Sequence, residues 1–132
     1  MSEVLLVDIG GTNMRYAYSK LGLTDIYESK RMSLENLDNF NDIIKSLINH
    51  KNYSVKNAVF SIAGPKISNT IKMTNRSFSA NSDTIKENFL LDQCHLLNDW
   101  ESIGYSLTST PENDIKYLKQ GISFNSNTLV LG

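Results

Sequence analysis

Apolar positions follow two different periods along this chain, and the changes of period mark its elements. Val4, Leu5, Leu6, Val7 and Ile9 form a nearly continuous apolar run interrupted only by Asp8, the pattern of a strand buried on both faces. Gly10-Gly11-Thr12-Asn13 is turn chemistry, and Arg15 to Ser19 reads as extended again. A turn at Leu21-Gly22 leads to a third strand over about Asp25 to Arg31. Three strands with no helix between them predict an antiparallel meander. The period then lengthens. Leu34, Leu37, Phe40, Ile43, Ile44, Leu47 and Ile48 recur at spacings of three and four, one face of a helix. Ser33 stands where an N-cap belongs, Glu35 falls in the first turn, and the helix ends near His50.

Beyond it, Lys56 to Ala63 reads as a strand closed by Gly64-Pro65. Short extended pieces around Ile67, Ile71 and Phe78 suggest an excursion with a hairpin. Asn81 or Ser82 caps a second short helix carrying Ile85, Phe89 and Leu90. His95-Leu96-Leu97 is a short strand ending at Asn98-Asp99, and a third helix over about Trp100 to Leu107 turns Ile103 and Leu107 inward. Pro111 to Asp114 is a turn, Asn125 to Asn127 is loop-like, and Thr128 to Gly132 opens another apolar strand. The order β-β-β-α-β-α-β-α predicts an α/β domain, a mixed sheet with helices packed on it. It is the order of one lobe of the ribonuclease-H-like, or actin-like ATPase, fold.

Composition narrows the possibilities without choosing among them. With 40% hydrophobic and 20% charged residues, the 132-residue chain is not disordered. A net charge of -1 offers no basic field for nucleic acid or an anionic membrane. The apolar run at Val4–Val7 is too short to span a bilayer and lacks the pattern of a signal peptide. The single cysteine, Cys94, has no internal disulfide partner, so the chain reads as cytoplasmic. Cys94 and His95 are neighbours on a strand and point to opposite faces, which excludes a shared metal. His50 has no evident partner. Tyr16, Tyr18 and Phe60 read as core or sheet-face residues.

Two segments could carry chemistry. In Asp8-Ile9-Gly10-Gly11-Thr12-Asn13, with Arg15 beyond, two glycines permit positive-φ conformations and a close backbone approach. Their amides and the Thr12 hydroxyl could cradle a phosphate, and Asp8 could hold the water shell of a Mg²⁺ ion. The plainer alternative is a hairpin whose Gly-Gly merely reverses the chain. In Asn98-Asp99-Trp100, Asp99 lies where a strand passes into a helix, the sheet edge where ligands gather. A carboxylate there can take a proton from a hydroxyl attacking a phosphoryl group, and Asn98 can bond a sugar hydroxyl. The plainer alternative is helix capping, with one residue capping and the other catalysing as a compatible outcome. Gly64-Pro65 and Thr74-Asn75 are weaker candidates for the same edge.

Taken in order, Leu6-Val7-Asp8-Ile9-Gly10-Gly11-Thr12-Asn13 with Arg15, Ile62-Ala63-Gly64-Pro65, Met73-Thr74-Asn75, Leu97-Asn98-Asp99-Trp100 and Leu129-Val130-Leu131-Gly132 resemble the bacterial glucokinase family of the hexokinase/actin-like superfamily. The resemblance implies ATP- and Mg²⁺-dependent phosphorylation of glucose, or a related hexose, at its 6-hydroxyl. It implies Asp99 as general base and Asn98 as a sugar ligand, with Gly64, Pro65, Thr74 and Asn75 beside them. Asp8 and Gly10 to Asn13, with Arg15, correspond to the first phosphate loop. Phe78 stands near where the family usually has a tryptophan. The family continues past the equivalent of Gly132 into a second glycine-rich loop, a Glu-x-x-His segment and a further Glu. Residues 1–108 are therefore expected to form the small lobe, and 109–132 the crossover and first strand of a second lobe. An unpaired terminal strand at 128–132 would favour a homo-oligomer, strand exchange, or pairing with the missing lobe. A non-catalytic sugar-binding or interaction module derived from a sugar kinase is the competing expectation.

Overall fold

The N-terminal apolar run becomes β1 (Glu3–Ile9), the central strand of a five-stranded mixed sheet ordered β3-β2-β1-β4-β8. The structure is a computed structural model describing residues 2–34 and 39–119. β2 (Asn13–Lys20) and β3 (Ile26–Ser33) complete the antiparallel meander. After α1 (Phe40–Ile48), β4 (Val55–Ile62) runs parallel to β1. The excursion is a separate three-stranded antiparallel sheet, β5 (Lys66–Ile67), β6 (Thr70–Lys72) and β7 (Ser79–Asn81). α2 (Ser82–Phe89) then leads to β8 (Gln93–Asn98), parallel to β4, and to α3 (Asp99–Ser106). Short 3₁₀ turns follow at Leu107–Ser109 and Glu112–Asp114. The strand expected at 128–132 and the loop at 125–127 lie outside the described residues.

One face of the sheet holds the core. Leu5, Val7 and Ile9 of β1, Met14 and Tyr18 of β2, Ala58, Phe60 and Ile62 of β4 and Leu96 of β8 are buried with Phe40, Ile44 and Leu47 of α1 and Ile85 of α2. Fully burying such a side chain contributes about 1.5–3 kcal/mol. Tyr18 is wholly buried, and its hydroxyl donates to the Leu47 carbonyl at 2.9 Å, satisfying an oxygen left open in the last turn of α1.

The opposite face departs from the sequence expectation. Leu6 is only half-buried and Asp8 is exposed, so β1 is not covered on both sides. α3 lies on this face but covers only part of it. Ile103 and Leu107, expected to point inward, are 44% and 43% exposed, and α3 buries none of its residues. The result is a largely apolar groove of about 610 Å³ lined by Leu6, Ala17, Val59, Leu97 and Tyr105.

Local details correct the expected boundaries. Ser33 is the last residue of β3 rather than a helix cap. α1 starts at Phe40 after Asn39, with no side-chain cap; Glu35 and Leu37 lie outside the described residues. The tertiary pairing of β3 with Asn13 overrides the capping preference of the serine. Asn81 caps α2 by accepting from the Thr84 amide at 3.0 Å. Leu90 is 80% exposed because it ends α2 in a left-handed conformation, φ 53°. His50, unpartnered in the sequence reading, lies 3.5 Å from the Glu28 carboxylate and stacks on Tyr53. A bulge in β3 opposite Ala17, with Glu28 at φ 51°, turns that carboxylate toward it.

Burial, reinforced by the charge of Asp83, pushes the Cys94 thiol up to about 12. The thiolate is the reactive species. Native Cys94 should therefore alkylate at pH 8 much more slowly than an ordinary thiol, by on the order of a hundred- to a thousandfold. Iodoacetamide kinetics followed by mass, native against urea-unfolded, check this; equal rates would mean that the β8 packing is wrong.

Candidate active site

Parallel pairing brings three chain segments to one edge. Ile9 stands opposite Ile62, and Ile62 opposite Asn98. The carboxyl ends of β1, β4 and β8 therefore finish level, and the segments that follow them emerge side by side: Gly10-Gly11, Ala63-Gly64-Pro65 and Asp99-Trp100. The Ala63 amide donates to the Ile9 carbonyl at 3.2 Å and ties the first two together.

The small sheet supplies the fourth segment. Its approach depends on Gly64. A Cβ on that residue would lie 2.2 Å from the Lys72 carbonyl oxygen and 2.9 Å from the carbonyl carbon, so only glycine lets the end of β6 pass here. Met73 is buried, and its amide donates to the Phe78 carbonyl at 3.0 Å, closing the loop that carries Thr74 and Asn75. Gly11, Ala63, Gly64, Pro65, Met73, Thr74, Asn75, Asn98, Asp99 and Trp100 line a single cavity of about 280 Å³. Residues spread from position 11 to position 100 thus meet in one cleft. The 610 Å³ groove is larger and its exposed surface is mostly apolar, with Asp8 and Arg15 among its polar lining residues.

Asn98 and Asp99 divide the two roles foreseen for them. Asn98 caps α3: its side-chain oxygen accepts from the Glu101 amide at 2.8 Å, and the Glu101 carboxylate accepts from the Asn98 amide at 3.1 Å. This is a complete capping box. The Asn98 side-chain amide also reaches the Gly64 carbonyl at 3.5 Å. Lys66 pairs with Glu101 at 3.3 Å and joins the small sheet to the base of α3. Asp99 has no capping duty. One of its oxygens accepts from the Trp100 amide at 3.1 Å, the other has no hydrogen-bond partner among the described residues, and Asp99 lines the cleft.

The glycine turn is built differently from the expectation. Neither Gly10 nor Gly11 has positive φ; among the described glycines only Gly22 does. The turn needs no left-handed residue because the Gly10 amide closes it onto the Asn13 carbonyl at 2.9 Å. That amide is consequently not free for a ligand. The Thr12 hydroxyl oxygen accepts from the Asn13 side chain at 2.8 Å and keeps its own proton to donate. The Gly11 and Thr12 amides meet no acceptor among the described residues. Of the remaining candidates, Asp8 and Arg15 are cross-strand partners that line the neighbouring groove rather than the 280 Å³ cleft. Gly10, Thr12 and Asn13 line neither cavity.

Arg76 escaped the sequence reading, since a single arginine in a loop carries no pattern. Its guanidinium donates from Nε to the Gly11 carbonyl at 2.8 Å and from Nη2 to the Leu34 carbonyl at 2.7 Å.

Comparison with known proteins decides the family. The family model described as Glucokinase matches residues 5–132. The chain belongs to the glucokinase family. It is 25% identical over 116 residues to the glucokinase of Erwinia tasmaniensis, covering 87% of this chain and 36% of that one. It is 26% identical over 111 residues to the glucokinase of Yersinia pestis, covering 84% and 34%. The chain therefore spans about a third of the length of these curated relatives. Among solved structures, glucokinase from an Antarctic psychrotroph superposes with a TM-score of 0.74 at 22% identity, over 94% of this chain and 40% of that one. Glucokinase from Balamuthia mandrillaris in complex with glucose gives 0.63 at 21% identity, over 82% and 32%. The fold of this glucokinase-family chain is accordingly that of an actin-like sugar-kinase lobe. No helix among its described residues is long and apolar enough to cross a membrane.

Proposed function

We propose that this chain is the N-terminal lobe of a cytoplasmic, ATP-dependent glucokinase, with residues 1–108 as the small lobe and 109–132 as the crossover into the second. The observation that carries the reading is the convergence of Gly11, Gly64, Thr74, Asn75, Asn98 and Asp99 on one 280 Å³ cleft. The relatives named above are glucokinases, and the Balamuthia protein was crystallised with glucose.

In this reading glucose lies in the cleft. Thr74, Asn75 and the Asn98 side-chain amide bond its hydroxyls, with Gly64 and Pro65 forming the wall. The free oxygen of Asp99 takes the proton of the 6-hydroxyl as that oxygen attacks. Bound MgATP would supply the phosphoryl group and neutralise charge developing on it. The residues present fit that group: the Gly11 and Thr12 amides and the Thr12 hydroxyl are available donors, and Asp8 is an exposed carboxylate one residue from the turn. Mg²⁺ characteristically takes one or two carboxylates and keeps several waters. Gly10 and Asn13 shape the turn, and Arg15 adds positive charge beside Asp8. Catalysis rests on alignment and electrostatic stabilisation.

The glycine-rich loop and sugar-binding glutamates of the family's second half belong to another part of the protein in this reading. The 132-residue chain on its own should turn over poorly. Trp100 lines the cleft beside Asp99 and is 42% exposed. In a protein spanning the family's full length, saturating glucose should shift its emission and protect it from acrylamide quenching, with glucose-dependent ADP release. An unchanged spectrum would count against the sugar site. Glucose binding with no ADP release would instead fit a non-catalytic sugar-binding module.

A further inference from the structure

We propose that Arg76 is the positioning residue that aims the phosphate-binding donors of the glycine turn; the inference rests on the reading of that turn as a phosphate loop. Every peptide bond among the described residues is trans. In a planar trans peptide the C=O and the N–H point in opposite directions. The Gly11 carbonyl and the Thr12 amide belong to one such plane. By holding the Gly11 carbonyl at 2.8 Å, Arg76 fixes the plane and directs the Thr12 N–H away from itself.

Gly11 cannot hold this orientation alone. Nothing lies within 4 Å of where its Cβ would be, and glycine has the widest backbone freedom of any residue. The second anchor of Arg76 supplies the rigidity. Leu34 accepts Nη2 at 2.7 Å, is 2% exposed in the core, and donates its own amide to the Thr12 carbonyl at 2.9 Å. The Gly11 and Thr12 carbonyls are thus held by Arg76 and by Leu34 respectively. The charged donor also polarises the Gly11–Thr12 peptide and strengthens its N–H as a donor. Because Arg76 directly follows Asn75, the loop carrying Thr74 and Asn75 and the glycine turn are held as one unit.

The test is a titration of the 132-residue chain with Mg²⁺-tripolyphosphate, followed by amide proton and nitrogen resonances. The wild-type Thr12 amide should move downfield on binding. R76Q keeps a polar side chain but loses the charge, the reach to Leu34 and the two-pronged grip; it should bind about tenfold more weakly and lose the Thr12 shift. R76K keeps the charge without the planar fork and should fall between, weakening about threefold. Slow amide exchange at Leu5, Val7 and Phe60 must be unchanged, separating positioning from general destabilisation. A folded R76Q or R76K with wild-type affinity and a wild-type Thr12 shift overturns the inference alone. Failure of the wild type to bind overturns the phosphate-loop reading, and this inference with it.

Discussion

Replacing Gly64 by alanine is expected to destabilise the lobe by about 3 kcal/mol, an overpacking cost at the upper end of the usual range. The new methyl group would meet the Lys72 carbonyl oxygen at 2.2 Å and the Met73 Cα at 3.1 Å. These are backbone atoms of a strand end, and they cannot rotate away as a side chain would. Either β6 shifts or the segment after β4 does, and both walls of the cleft are made of those residues. The damage should extend to the Asn98 side chain, which reaches the Gly64 carbonyl. Gly11→Ala is the control, because open space surrounds its Cβ position and its φ is not positive. Urea denaturation should show a large fall in midpoint for Gly64→Ala with the slope retained, and little change for Gly11→Ala. Equal midpoints for wild type and Gly64→Ala would mean that the small sheet does not pack against the 63–65 segment as described.

In a protein spanning the whole family length, Asp99→Asn should cost at least roughly a hundredfold in kcat, the lower bound for losing a general base, and leave the melting temperature almost unchanged. The structural part of the expectation follows from the division of labour at α3. Asn98 and Glu101 form the cap, while Asp99 accepts only from the adjacent Trp100 amide. An asparagine can make that contact through its side-chain oxygen. Asn98→Ala should behave in the opposite sense on stability, losing about 1 kcal/mol with the cap. Steady-state ADP release and calorimetric melting separate the two. An Asp99→Asn protein with near-wild-type kcat would leave Asp99 without a catalytic task.

The elements themselves were legible because each is written in local chemistry. The apolar run of β1, the later part of the α1 period, the asparagine before α2 and the Asn98-Asp99 junction are short-range signals that the chain follows, although β1 is not covered on both faces and α1 starts at Phe40 rather than after Ser33. Ser33 misled because serine favours a cap wherever a helix follows, whereas here pairing with Asn13 keeps it in β3. Ile103 and Leu107 misled for a related reason. A helical apolar stripe says that a face should be covered, but not that the described residues cover it. His50 and Glu28 are 22 positions apart, and a bulge with an unusual φ was needed to bring them within 3.5 Å.

The candidate site divides in the same way. Asp99, Asn98 and the glycine turn stood out because their residue types suit phosphoryl transfer, and an ordered set of short motifs pointed to the glucokinase family. The letters could not say which member of the Asn98-Asp99 pair caps the helix, since both residue types do so equally well. They could not reveal that Gly64 is glycine because another strand's backbone occupies the space of its Cβ, or that Arg76 grips a carbonyl 65 positions away. Local sequence encodes period, turn and cap because those depend on neighbours along the chain. Close approach, side-chain reach and the shared cleft depend on which distant segments the parallel pairing of β1, β4 and β8 sets side by side, and only the folded chain supplies that distance.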